Sequence, residues 1–172
     1  MKKIAFALAL ILSAGVVGAQ QTISGTHTYT YTPESSLQIE ELEDGRLSVS
    51  IERGKNMVFT YEFRKKDDPA IADDEYTMRI IFEVPLGGTS FKYDAKDIKI
   101  VLMKGCFCTD RGYHRIVSGY VSGEKTCKGW KVKWKLETKT VPESEGNNWN
   151  SETKKPASFI RPKAVKQKGK TN

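Results

Sequence analysis

The chain has 172 residues, 38% of them hydrophobic, and its 28 lysines and arginines against 21 acids give a formal charge of +7. That length fits one ordinary domain that can bury a core without cross-links, and no internal repeat or second domain is visible. The charge is not spread evenly: residues 151–172 hold +6 and residues 20–150 sum to −1, so the basic balance belongs to the end of the chain and a nucleic-acid partner is not favoured.

Lys2 and Lys3, an apolar run over 4–17 and the small residues Val17-Gly18-Ala19 predict a secretory signal peptide over residues 1–19. The run is short of the roughly 20 apolar residues a membrane-spanning helix needs. No cysteine follows the predicted cut after Ala19, so no lipoprotein anchor is expected. The expected mature chain starts at Gln20, lacks a transmembrane anchor and resides in the periplasm or outside the cell.

Residues 22–32 alternate with period two, setting His27, Tyr29 and Tyr31 on one face of a strand and threonines on the other. Residues 33–44 read as a polar connection ending in the turn pair Asp44-Gly45, and Leu47, Val49 and Ile51 open a second alternation. Gly54-Lys55-Asn56 then predicts a hairpin turn before the strand of Met57, Phe59, Tyr61 and Phe63. After a charged loop at 65–75, Tyr76, Met78, Ile80, Phe82 and Val84 define a further strand, stopped by Pro85 and Gly87-Gly88.

Phe91 and Tyr93 suggest a short strand, and the one helical candidate is a turn near Ala95. Residues 98–103 are apolar at almost every position, as in a strand buried on both faces. Residues 113–122 are strand-like, and Trp130, Val132, Trp134 and Leu136 alternate with Lys131, Lys133, Lys135 and Glu137. Seven or eight short strands without a helical period predict an antiparallel β-sandwich over residues 20–140, with a small barrel as the alternative. Residues 141–172 read as a polar linker and a flexible basic tail.

The chemistry-bearing residues are few. His27 and His114 are the only histidines, and no nucleophile elbow, zinc-protease helix, phosphate-binding glycine loop or haem-attachment motif is present. His27, among tyrosines, reads as a packed strand residue. Cys106, Cys108 and Cys127 suit one disulfide and one leftover thiol in an oxidising compartment. Joining Cys127 to either of the others is the first expectation, yet a plain meander would hold the two loops about 25 Å apart, so it needs a crossing or a folded-back loop. A bridge between Cys106 and Cys108 needs a bend, because residues two apart on an extended strand lie about 6.6 Å from each other.

Those thiols with His114 would suit zinc or cuprous copper, but the spacing matches no standard zinc pattern and no metal is favoured. Asp67, Asp68, Asp73, Asp74 and Glu75 are hard oxygen donors for calcium without an EF-hand register, and a solvated acidic loop is the reading preferred. Lys131, Lys133 and Lys135 form a basic stripe, and Lys154, Lys155, Arg161, Lys163, Lys166, Lys168 and Lys170 are the stronger candidates for contact with acidic polymers.

The leading expectation is therefore an exported, non-catalytic β-sandwich that binds or scaffolds an envelope or extracellular ligand, without a cofactor. The competing class is a thiol-redox or metal-binding protein centred on Cys106, Cys108 and Cys127 with His114. A third is an enzyme with a carboxylate site that the sequence does not single out from its 21 acids.

Overall fold

The computed structural model describes residues 24–72, 74–138 and 149–162, so the predicted signal peptide lies outside the described residues. The first four strands are β1 (Gly25–Glu41), β2 (Leu47–Lys65), β3 (Tyr76–Pro85) and β4 (Ser90–Asp94). A single 3-10 turn at Ala95–Asp97 follows, at the predicted position. The remaining strands are β5 (Ile100–Cys106), β6 (Gly112–Thr126), β7 (Gly129–Thr138), β8 (Trp149–Glu152) and β9 (Ala157–Phe159). All strand pairs are antiparallel and form one sheet in the order β1-β2-β3-β5-β6-β7-β8, with β4 on β6 and β9 on β7.

The long strand β6 makes this one sheet into two facing layers. Its start pairs with β5 through Gly112 to Arg115, and its remainder pairs with β7 and β4. A register shift between Ile116 and Ser118 bends the strand between the two sets of partners. Gly119 completes the bend at φ 112°, where a Cβ would lie 2.0 Å from the Lys135 carbonyl oxygen, so only glycine fits.

The predicted alternation is explained by what lies between the layers. Phe59 stacks on Phe82 at 5.0 Å between ring centroids, Trp130 meets Phe59 edge-on at 5.9 Å, and Trp134 lies 5.3 Å from Tyr61. These offset and edge-on arrangements suit the aromatic quadrupoles while removing large apolar areas from water. Position 123 takes glycine because a Cβ there would meet the Phe91 ring at 2.4 Å.

Three features differ from the sequence expectations. Residues 47–65 form one continuous strand, so Gly54-Lys55-Asn56 is not a hairpin turn; the turn is at Asp44-Gly45, with Gly45 at φ 77°. Residues 33–44, expected as a connection, largely extend β1 to Glu41. At the Gly54 level the hairpin is bulged: Ser35 is the partner of both Arg53 and Asn56, and Glu34 takes φ 54°. Beyond the bulge, the hairpin leans over the outer face of the first layer. Leu37 packs there with Val58, Ile81 and Val101, a second cluster supported by Ile39, Val49 and Tyr113.

The third difference concerns the boundary expected at 140. Trp149–Glu152 and Ala157–Phe159 pair with β7, bringing the strand number among the described residues to nine, and Phe159 is fully buried against Phe59 at 5.4 Å. Strands of four and three residues are too short to display an alternating pattern. Ile160 exchanges hydrogen bonds with Tyr29 and Tyr31 of β1 at 3.2 and 3.1 Å. That is one isolated bridge and not a ladder, so the sheet is not closed into a barrel.

Candidate functional site

The cysteines pair in the less expected way. β5 ends at Cys106 and the chain turns back at once, bringing the Cys106 and Cys108 Cα atoms to 5.2 Å, and the two form a disulfide. The bend supplies the approach that an extended strand lacks. Cys127 is exposed and free in the turn between β6 and β7. The β5–β6–β7 meander sets that turn at the opposite end of β6 from the Cys106 loop, which overturns the expected Cys127 bridge.

The Cys3His grouping does not assemble either, since Cys127 is remote and the His114 Nε2 is engaged with the Asp110 carbonyl oxygen at 2.6 Å. Instead Cys106, Cys108 and Asp110 bring their ligand atoms within 4.8 Å of one another. Lys104 donates to the Asp110 carboxylate, and this hydrogen bond, followed by the attraction of Lys104 and His114, holds that carboxyl below the usual range. Phe107, at the tip between the two sulfurs, is 80% exposed. Asp110 is the residue that sequence reasoning missed, although it lies two positions from Cys108.

A second constellation occupies the outer face of the β4–β6–β7 layer. Because Trp130, Val132 and Trp134 point inward, Lys131 and Lys133 point outward. Strand register aligns Ser90, Glu124 and Lys131 in one row and Lys92, Ser122 and Lys133 in the next. Together they line a groove of about 710 Å³, closed on one side by Pro156 between β8 and β9. Among the described residues none of Lys92, Lys131 and Lys133 is in an ion pair, and the Lys92 ammonium lies 5.8 Å from the centre of the Tyr120 ring. Lys135 belongs to the adjacent row, between Glu152, its direct partner on β8, and Tyr120, beyond which lies Asp94, and it does not line the groove.

The other candidates are placed as follows. Asp74 accepts from Lys65 at 3.0 Å and from the Asp68 amide at 3.1 Å, and these bonds hold its carboxyl below the usual range. Asp68 in turn accepts from the Ala70 amide at 3.0 Å. Asp73 lies outside the described residues, and among those described no three of the loop carboxylates converge on a cation position. His27 sits in an aromatic ladder, its Nδ1 3.0 Å from the Tyr61 hydroxyl and its ring 4.9 Å from Phe63. Burial, then the proximity of Tyr29 and Tyr76, pushes the Tyr61 hydroxyl up to about 12.

Of the basic tail residues, Lys154, Lys155 and Arg161 are exposed on or beside the β8 and β9 segments, and Lys163, Lys166, Lys168 and Lys170 lie outside the described residues. Glu83, buried among the described residues, is wholly engaged in structure: its carboxylate accepts from the Leu37 amide, the Ser36 hydroxyl at 3.1 Å and the Asn56 amide at 2.5 Å. Comparison with known protein families, curated proteins and solved structures finds no match to the chain.

Proposed function

We propose that the protein acts, after export, as a non-catalytic binding module that holds an anionic polymer of the envelope or cell exterior on the outer face of its β4–β6–β7 layer. The observation that carries this reading is the groove lined by Lys92, Lys131 and Lys133, three cations free of carboxylate partners among the described residues, with Ser90 and Ser122 as hydroxyl donors. Glu124 is the one acid in the lining among the described residues, so the groove keeps a positive balance there. Ammonium groups on rigid strands at this spacing suit repeated phosphate, sulfate or carboxylate groups, because the backbone has already been ordered by the sheet.

The non-catalytic part of the reading is supported by the engagement of both histidines with fixed partners and by the structural use of Glu83. Lys154 and Lys155 immediately precede Pro156, which lines the groove, and the four lysines beyond Pro162 in the sequence extend the same charge. The export part rests on the charged start, apolar centre and small-residue end of residues 1–19.

Retention of the mature chain on a heparin column, eluted with a salt gradient, tests the binding. Lys131→Glu with Lys133→Glu is expected to lower the eluting salt concentration strongly while circular dichroism keeps its β-sheet signature. Elution unchanged by that pair refutes the groove, and elution lowered only by deleting residues 163–172 transfers the binding to the tail.

A further inference from the structure

We propose that Cys106, Cys108 and Asp110 form a redox-gated binding site for zinc, closed while the two sulfurs are bonded and open when they are reduced. The three donor groups already lie within 4.8 Å of one another. A tetrahedral zinc with sulfur ligands at about 2.3 Å separates two sulfurs by about 3.8 Å, so side-chain rotation after reduction brings the set to ligand spacing without moving the strands.

The loop holds these donors in place from several directions. Cys106 is the last residue of β5 and is paired with Tyr76 of β3. The Arg111 amide donates to the Cys108 carbonyl at 3.4 Å, and His114 Nε2 donates to the Asp110 carbonyl, which assigns the ring proton to that nitrogen. Lys104 holds the Asp110 carboxylate in place through an ion pair. Two thiolates, one carboxylate, the Lys104 ammonium and a divalent cation sum to no net charge. With three protein ligands, the fourth position of the metal is left to water.

Opening this disulfide leaves the fold intact, because it spans only three residues and closes a very short loop. Access is from the exposed tip at Phe107. The reductant is a pair of thiols, from a dithiol protein or two small molecules. The Cys106–Cys108 sulfur–sulfur bond breaks, one forms between the reductant sulfurs, and two electrons with two protons pass to the protein sulfurs. Zinc binding then releases those two protons to water. Soft sulfur donors select zinc over calcium or magnesium, whereas hard oxygen donors would dominate a site for the latter. The site is independent of the lysine groove, which lies on the other layer.

The test uses the chain with Cys127→Ser, to remove the free thiol, reduced with a phosphine, desalted under argon and titrated with zinc against a chromophoric chelator. One equivalent is expected in the reduced protein and less than about a tenth of an equivalent in the oxidised protein. Cys106→Ser with Cys108→Ser is expected to abolish uptake, and Asp110→Asn to weaken it by at least about tenfold. Substoichiometric uptake by the reduced protein, equal uptake by the oxidised protein, or uptake that survives the double serine variant overturns the proposal. Loss of the β-sheet circular dichroism on reduction also overturns it, because the site belongs to the folded chain.

Discussion

Glu83 is where a single substitution separates local strand geometry from tertiary closure. The residue is 9% exposed on the outer face of β3, and its carboxylate accepts from the Leu37 amide, the Ser36 hydroxyl and the Asn56 side chain, so it fastens the leaning half of the β1–β2 hairpin to the sheet. Lys99 adds a bond from its ammonium to the Leu37 carbonyl at 2.7 Å. Glu83→Ala removes three bonds to a charged acceptor, each contributing on the order of 1.5–3 kcal/mol, and strands a buried amide. These terms overlap, and the expected loss is about 3–5 kcal/mol. Glu83→Gln keeps an oxygen for the Leu37 amide and lets the Asn56 amide reverse, so about 1–2 kcal/mol is expected.

Urea unfolding followed by tryptophan fluorescence measures both changes, with Trp130 and Trp134 in the core as reporters. Hydrogen exchange at Leu37 adds the local reading: its amide is expected to lose protection in the alanine variant by more than amides of β7 do. An alanine variant within about 0.5 kcal/mol of the parent refutes the latch, and so does Leu37 exchange that tracks global unfolding alone.

Phe159→Ala is expected to cost about 3–5 kcal/mol, since the ring is fully buried among Tyr29, Phe59, Phe82 and Trp134; an unchanged thermal midpoint would mean β9 is not part of the core. Gly119→Ala should destabilise by about 2 kcal/mol or more, or fail to fold, because its Cβ would collide with the Lys135 carbonyl at a positive φ; a parent-like urea midpoint would refute the sharp bend in β6. Alkaline titration provides a signed test at Tyr61, whose proton is retained by the folded chain up to about 12 but lost near 10 when unfolded. Between those values the unfolded state binds fewer protons, so stability falls with rising pH, by on the order of 2 kcal/mol, and Tyr61→Phe should flatten that fall. For Asp110 the sign is opposite: its lowered value adds stability above the ordinary carboxyl range that disappears on acidification, and Lys104→Met should weaken this pH dependence, leaving the smaller part due to His114.

Period-two alternation reports which way each side chain points relative to its own backbone, and this alone determined most strands and the inward position of Trp130 and Trp134. The stretch expected at 98–103 to be covered on both faces is so at Ile100 and Leu102 on one side of β5 and at Val101 on the other. Alternation carries no information on which distant backbone becomes the partner. The folding of the hairpin over Val58, Ile81 and Val101, the Cys106 to Cys108 pairing and the recruitment of Phe159 all depend on partner choice. The lysine groove shows the same division. Its outward lysines on β7 are legible in the chain, but the row that adds Lys92 exists only because β6 lies between β4 and β7 and brings residues about forty positions apart onto one face. Side-chain direction is a local steric property of the strand; strand order is a global property set by burial and by satisfying backbone hydrogen bonds, and only the tertiary structure decides it.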